Sequence, residues 1–291
     1  IVQLVEHEAL DAANKGFVDG LASKGYKEGQ NITFDKQNAQ ADQSNLQNIA
    51  HRFVNNKVDL ICAIATPAAQ TVANVTSDIP IVATAVTDYK TAKLVKDDAK
   101  PGTNVTGTTD MNPVAEQLDL LLKLVPNAKT IGTIYCSSEV NSQLQVELLK
   151  KAAAAKGITV KEATVSTVND IQQAARSLAG DVQAVYVPTD NVLASAIPTL
   201  ISVTEEAKLP VICAEGGMVR AGGLATLGVD YYKLGFQTGV MAADILSGKS
   251  KPADMAIQAQ KEFKPTINLK EAAKIGLKVP EDLLKGAEVI K

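Results

Sequence analysis

Residues 60–70, LICAIATPAAQ, pass from an apolar strand-like stretch directly into a helix-like stretch with no spacer. Residues 131–142 (IGTIYCSSEVNS) and 184–194 (AVYVPTDNVLA) do the same. Where a strand leads straight into a helix, unpaired backbone N–H groups and the positive end of the helix dipole point at one place. The sequence therefore predicts strand–helix junctions that can hold a small anion without a charged side chain.

Strand-like and helix-like segments alternate along almost the whole chain. The predicted strands are 1–5, 31–37, 58–65, 80–86, 104–109, 130–136, 158–164, 182–187, 209–214, 223–228 and 256–265. The predicted helices are 10–24, 42–56, 67–75, 112–124, 140–156, 168–179, 190–207, 231–247 and 269–275. Several strands are apolar throughout, which is typical of parallel sheets covered on both faces. This pattern predicts a doubly wound α/β fold.

The order of elements repeats once along the chain. Residues 1–108 and 109–229 each give a series of alternating strands and helices, and a single sheet of so many strands would exceed the usual limit of about ten. The remaining segment is too small to fold alone, so it should complete both halves. We therefore predict two Rossmann-like lobes, one of residues 1–108 plus 230–260 and one of residues 109–229 plus 261–291.

Composition excludes several classes of function. A net charge of −3 and a pI near 5.6, without a Lys/Arg cluster, argue against a nucleic-acid partner. The GxSxG, HExxH and strand-linked GxGxxG motifs of enzymes are absent, and two histidines with three scattered cysteines do not form a metal-binding pattern. We therefore expect no catalytic residues, no metal and no cofactor. The chain starts at Ile1, already within a predicted strand, as a mature or trimmed protein would.

Polar residues at the strand ends are the candidates for ligand binding. In open α/β sheets, ligands bind outside the carboxyl ends of the strands. The residues predicted to bind the ligand are Glu6, Thr66, Pro67, Ala68, Thr87, Asp88, Tyr89, Ser137, Glu139, Asn141, Ser142, Thr189, Asp190, Asn191, Glu215, Gly216 and Asp230.

Thr66 and Pro67 carry the clearest local signal among these candidates. Threonine is a good N-cap, and proline at the first helical position loses no hydrogen bond. The N–H groups of Ala68 and Ala69 should then point outward. A single junction of this kind is usually an ordinary helix cap, but three junctions at one site favour ligand binding.

Glu215 and Asp230 permit two interpretations. An acidic residue at a strand end, such as Glu215 followed by Gly216, could pair with a ligand ammonium group. The same carboxylate could instead stabilise the start of a helix through the helix dipole. Asp230, which precedes a predicted helix, could serve both purposes.

Several segments together carry a family resemblance. These are FVDGLASKGYKEGQNITF (17–34), ATPAAQTVA (65–73), IPIVATAVTD (79–88), NVTGTTD (104–110), VPTDN (187–191) and LPVICAEGGMVRAGGLATLGVDYYKLG (209–235). They resemble the extracytoplasmic substrate-binding proteins of ABC uptake transporters. More narrowly, they resemble the TrpX-like family, some of whose members bind tryptophan, phenylalanine or related aromatic amino acids. Tyr89 departs from the family pattern, which often has proline there.

The resemblance implies a two-lobed fold of the type I periplasmic-binding-protein kind. Three crossovers, near 107–110, 227–230 and 261–265, would form the hinge that closes on a ligand. An amino acid would offer its carboxylate to Thr66, to the Ala68 and Ala69 amides and to hydroxyls of the second lobe. Glu215 or Asp230 would meet the ammonium group.

The resemblance further implies a receptor without enzymatic activity that delivers its ligand to an ABC transporter permease. Its location would be extracytoplasmic, either in the periplasm or at the cell surface as a lipoprotein. The alternative is the effector-sensing core of a transcription regulator, or a sensor domain of the same two-lobed fold. A regulator would need a helix-turn-helix segment, which this sequence lacks.

Overall fold

The computed structural model describes residues 1–291 and divides into two compact units. Unit 1 comprises Ile1–Met111 and Asp230–Lys261, and unit 2 comprises Asn112–Val229 and Glu262–Lys291. The chain therefore passes from one unit to the other three times. None of its helices is both long and apolar enough to cross a lipid bilayer.

Strands and helices alternate as the sequence predicts. The strands are β1 (Val2–Gln3), β2 (Gln37–Asn38), β3 (Ile61–Ile64), β4 (Ile81–Val86), β5 (Val105–Thr109), β6 (Thr130–Cys136), β7 (Thr159–Val165), β8 (Val185–Val187), β9 (Val211–Cys213), β10 (Ala225–Gly228), β11 (Gln258–Ala259), β12 (Lys264–Asn268) and β13 (Glu288–Ile290). The helices are α1 (Glu8–Ser23), α2 (Gln43–Asn55), α3 (Thr66–Val75), α4 (Val114–Leu124), α5 (Val140–Ala155), α6 (Ile171–Ala179), α7 (Asn191–Ser195), α8 (Ile197–Glu206), α9 (Gly216–Arg220), α10 (Tyr231–Leu246) and α11 (Leu269–Ile275). Short 3-10 turns lie at Val168–Asp170, Pro252–Asp254 and Glu281–Leu284.

Unit 1 is built on a sheet of six parallel strands in the order β11-β5-β4-β3-β1-β2. Helices α1 and α10 pack together, as do α2 and α3. The central strands β3 and β4 are buried along their whole length. Burial on both faces explains why these strands are apolar without alternation.

Unit 2 has seven strands in the order β13-β12-β10-β9-β8-β6-β7, and only the β10–β12 pairing is antiparallel. One face of the sheet is covered by α6 and α8, and the other by α4, α5 and α11. Successive residues of β8 alternate between these two cores, with Val185 and Val187 on one side and Tyr186 on the other. Both units are thus doubly wound α/β layers, and the predicted fold class is confirmed.

The two sheets share one topology. Leaving out the added edge strands, unit 1 reads 2-1-3-4-5 from β2 to β5, and unit 2 repeats this order from β7 through β6, β8 and β9 to β10. In this arrangement the strand order reverses between the first and third strands, and ligands bind outside the carboxyl ends at that switch point. The topology therefore selects the β1/β3 ends in unit 1 and the β6/β8 ends in unit 2.

Some predicted elements differ from the observed ones. The predicted strand 31–37 is mostly loop, since β2 contains only Gln37–Asn38. The predicted strand 256–265 is two strands, β11 and β12, which belong to different sheets. The predicted helix 190–207 is broken at Ala196, where Pro198 follows in the first turn of α8. Helix α9 and strand β13 were not predicted.

Helices α1 and α10 approach each other through two matching GFxxG segments, residues 16–20 and 235–239. A Cβ atom at Gly16 would overlap the Tyr232 carbonyl, and one at Gly235 would overlap the Ala13 carbonyl. The glycines therefore let two backbones touch where any side chain would hold them apart.

Candidate functional site

The start of α3 forms the carboxyl-end surface of unit 1 at its switch point. The sequence suggested Thr66 as the N-cap, but this was wrong, because the cap is Ala65 and Thr66 is the first helical residue. Ala65 adopts φ 91°, a conformation that costs energy for a residue with a Cβ atom. This unusual turn brings Thr66 and Pro67 into the first turn of the helix.

Two N–H groups and one hydroxyl remain available at this helix start. The Ala69 N–H was expected to be free, but it donates to the Ala65 carbonyl. Thr66 and Ala68 lie in the first turn, where N–H groups have no partner within a helix. The Thr66 side chain is 2% exposed, and its Oγ1 has no hydrogen-bond partner. A buried hydroxyl of this kind, beside free N–H groups, suits an anionic ligand group.

Thr87 and Asp88, at the end of β4, bond within unit 1. The Thr87 hydroxyl donates to Asp110 at 2.9 Å, and Tyr231 donates to the other Asp110 oxygen at 2.7 Å. Complete burial raises the pKa of Asp110 despite these two donors. Asp88 accepts from the N–H of Thr91.

Tyr89 is among the residues that the sequence predicts to bind the ligand. It is 1% exposed, and its hydroxyl donates to the carbonyls of Ala83 and Thr108. These carbonyls belong to β4 and β5, next to the irregular pairing that follows Ala83. Burial therefore raises the pKa of Tyr89 well above its ordinary value. Its hydroxyl holds the end of the sheet together.

Thr189 lies just beyond β8, and its backbone N–H, its carbonyl and its hydroxyl oxygen all form hydrogen bonds. Gln145 accepts from the Thr189 N–H at 2.8 Å and donates to its Oγ1 at 2.9 Å. Asn112 donates to the same Oγ1 at 3.0 Å. The Thr189 carbonyl accepts from Asn141 and Ser142. The side chain is nevertheless half-buried rather than enclosed. This threonine is thus fixed in position at the switch point of unit 2.

Glu139 and Asp190 are two buried carboxylates of unit 2 that bridge the ends of β6 and β8. Asp190 caps α7 by accepting from Leu193 N–H, and it also accepts from Cys136 N–H and the Ser142 hydroxyl. Glu139 accepts from Asn141 and from the backbone and side chain of Asn191. Four predicted ligand residues, Glu139, Asn141, Ser142 and Asn191, therefore bond one another or Asp190.

Burial and the nearby Asp190 raise the pKa of Glu139 to about 8. A carboxyl group with a raised folded-state pKa binds its proton more tightly in the folded protein, so stability falls as pH rises from about 4.5 to 8. Between pH 5 and pH 8, we expect the unfolding free energy of Glu139→Gln to fall by at least about 1 kcal/mol less than that of wild type, the equivalent of roughly one pKa unit. Urea unfolding at pH 5, 6.5 and 8 measures these free energies. The exposed Glu116→Gln is the control, and parallel pH profiles for wild type and Glu139→Gln would contradict the prediction.

The other predicted site residues lie at surface positions or helix caps. Glu6 and Ser137 are exposed. Glu215 caps α9 by accepting from the N–H groups of Gly217 and Met218, while Gly216 is the first residue of that helix. Asp230 caps α10 through the Lys233 N–H. Neither Glu215 nor Asp230 follows a strand at a switch point.

Two residues of the unit 2 cluster were missed by the sequence analysis. Gln145 lies one helical turn after Asn141 on α5, and this i, i+4 spacing was the available signal. Asn112, the first residue of unit 2, lies 77 residues from Thr189 in sequence, and no local pattern marks it.

A cavity of about 640 Å³ opens elsewhere in unit 1. It is lined by Ile1 and Leu60, which precede β1 and β3, and by the loop of residues 29–35. This places it at the amino ends of the strands, and none of the predicted ligand residues lines it. Because ligands of doubly wound sheets bind at the carboxyl ends, the switch points are the stronger candidates for the functional site.

Metal or thiol chemistry finds no support in the side-chain arrangement. No group of three or more His, Cys, Asp or Glu side chains could hold a metal ion. Cys62, Cys136 and Cys213 are buried and free. Burial raises the pKa of Cys62 to about 12, so its thiol stays protonated and unreactive.

Comparison with known proteins identifies the family. The profile described as ABC transporter substrate binding protein matches residues 1–291. The "Tyrosine-binding protein" of Clostridioides difficile (strain R20291) is 49% identical over 250 residues, which cover 86% of this chain and 72% of that protein. The crystal structure of the ABC domain from Streptococcus pneumonia in complex with L-Trp has a TM-score of 0.96 at 41% identity, covering 100% of this chain and 98% of that one.

A more distant structure shares the fold alone. The periplasmic binding protein/LacI transcriptional regulator from Alkaliphilus metalliredigens QYMF, complexed with D-xylulofuranose, is 12% identical with a TM-score of 0.62, covering 91% of this chain and 95% of that one. The family match over the whole chain confirms the resemblance seen in the sequence. The chain belongs to the family of ABC transporter substrate-binding proteins, extracytoplasmic receptors that bind a solute and catalyse no reaction.

Proposed function

We propose that this protein binds an aromatic amino acid and delivers it to the permease of an ABC importer, working in the periplasm or as a lipoprotein at the cell surface. The observation that carries the proposal is the start of α3, where a buried hydroxyl without a partner and the free N–H groups of Thr66 and Ala68 suit a carboxylate. Relatives named for tyrosine binding or solved with L-Trp support an aromatic side chain.

Both units take part in the proposed binding. We propose that they are the two ligand-binding lobes predicted from the sequence, each contributing its switch point. Each charge-assisted hydrogen bond to the ligand contributes roughly 1.5–3 kcal/mol. A few such bonds together with a buried ring are enough for roughly micromolar affinity or tighter. The alternative, a regulator core, shares the fold with this chain, but the family match over residues 1–291 favours the receptor.

Calorimetry on ligand-stripped protein tests the proposal. We expect saturable binding of L-tyrosine, L-tryptophan or L-phenylalanine, and at least about tenfold weaker binding of L-leucine and L-aspartate, because neither offers a ring to bury. The chain contains no tryptophan, so a blue shift of indole fluorescence on adding L-tryptophan reports burial of the ligand alone. Glucose is the negative control. Saturable binding of a sugar with none of the aromatic amino acids would refute the proposal.

A further inference from the structure

Thr189 has an unusual hydrogen-bonding state. A hydroxyl oxygen can accept two hydrogen bonds and donate one. Both acceptor positions of Thr189 Oγ1 are occupied by amide N–H groups, from Gln145 at 2.9 Å and from Asn112 at 3.0 Å. No atom of the protein accepts the Thr189 hydroxyl hydrogen. This hydroxyl can therefore act toward a ligand only as a donor.

The orientation of Gln145 is determined by the backbone. Its Oε1 accepts the Thr189 N–H at 2.8 Å, and a backbone N–H requires an acceptor. The amide nitrogen of Gln145 must therefore be the atom that faces Thr189 Oγ1. Gln145 is 0% exposed, so its two side-chain hydrogen bonds are shielded from bulk solvent.

Asn112 completes the arrangement from a distant part of the sequence. It is 4% exposed, and the only hydrogen bond of its side chain is the one from Nδ2 to Thr189 Oγ1. Its Oδ1 is buried without a partner. Reversing the amide would bury two N–H hydrogens in that place, and unpaired buried N–H groups are rarer than unpaired carbonyl oxygens. The observed orientation is therefore the less costly one.

We propose that Asn112 and Gln145 are positioning residues that make Thr189 an obligate hydrogen-bond donor to a carboxylate oxygen of the ligand. The inference rests on the proposed function, because it assumes that the ligand is an amino acid. Since Thr189 cannot accept, it disfavours a ligand that places an ammonium or amide N–H group there. The arrangement thus selects a free α-carboxylate over its amide.

Asn112→Asp tests this polarity with minimal change of shape. Aspartate offers only acceptors, so the Thr189 hydroxyl would donate to it and would expose a lone pair to the ligand. Calorimetry should compare L-tyrosine with L-tyrosinamide, and L-tryptophan with L-tryptophanamide. We expect the acid-to-amide affinity ratio to fall at least about tenfold in the variant, the effect of about 1.4 kcal/mol. The aspartate charge by itself also disfavours a carboxylate over an amide, so a fall in this ratio supports the inference only when the uncharged Thr189 variants described below agree with it.

The results separate this inference from the proposed function. If wild type binds an aromatic amino acid but Asn112→Asp leaves the acid-to-amide ratio unchanged, the polarity inference is wrong and the proposed function stands. If wild type binds none of them, both fail. Thr189→Ser and Thr189→Val give a second test that does not place a new charge in the interior. Serine should keep most of the affinity for the acid, valine should lose at least about tenfold, and equal affinities would overturn the inference.

Discussion

Replacing Gly235 by alanine should destabilise unit 1 by about 3 kcal/mol or more. The added Cβ would overlap the Ala13 carbonyl and crowd the Ala13 Cα. Both are backbone atoms, so no side-chain rotation can relieve the overlap, and α1 and α10 must move apart. Their contact is the most extensive between two elements of the fold. Urea unfolding of wild type and variant measures the loss.

The direction of the stability change distinguishes close backbone packing at Gly235 from ordinary helix propensity. In an exposed helix interior, Gly→Ala stabilises by about 0.8–1 kcal/mol, so a large loss at Gly235 reports the close backbone approach alone. Gly180→Ala is the matched control, because a Cβ there meets no atom within 4 Å and the backbone has φ −88°. We expect Gly180→Ala to change the unfolding free energy by less than about 0.5 kcal/mol. Equal stability of the two variants would show that the helices can separate at no cost.

Thr66→Val should weaken amino acid binding about 10- to 100-fold, as expected for the loss of one hydrogen bond to a charged group. The same change should leave the ligand-free protein as stable as wild type or slightly more stable. The Thr66 hydroxyl is buried without a partner, so a methyl group of similar shape removes an unsatisfied polar atom. Calorimetry measures the affinity, and thermal unfolding without ligand measures the stability.

Thr133→Val provides the matched control. Thr133 is also buried, and its Oγ1 also has no partner, but it lies within β6 and away from the strand ends. We expect the two variants to have similar ligand-free stability while only Thr66→Val loses affinity. If Thr66→Val binds the amino acid with wild-type affinity, the start of α3 is not part of the ligand site.

Much of the fold follows from local patterns. Continuous apolar strands such as Ile61–Ile64 predict a sheet covered on both faces, and the repeat of elements predicts two doubly wound units. These features depend on neighbours in sequence, so periodicity and composition are enough. The predicted strand 256–265 failed because its two ends, β11 and β12, pair in different sheets, and pairing partners are not a local property.

The candidate site, like the fold, was only partly predictable from local sequence. The sequence by itself determined the family, the class of fold and the polar residues at the strand ends. Only the tertiary structure decided which of these ends lie at switch points, because strand order depends on long-range pairing. It also decided that Glu215 and Asp230 cap helices and that Thr189 is a donor. The polarity of a hydroxyl depends on its partners, and those of Thr189 come from 44 and 77 residues away.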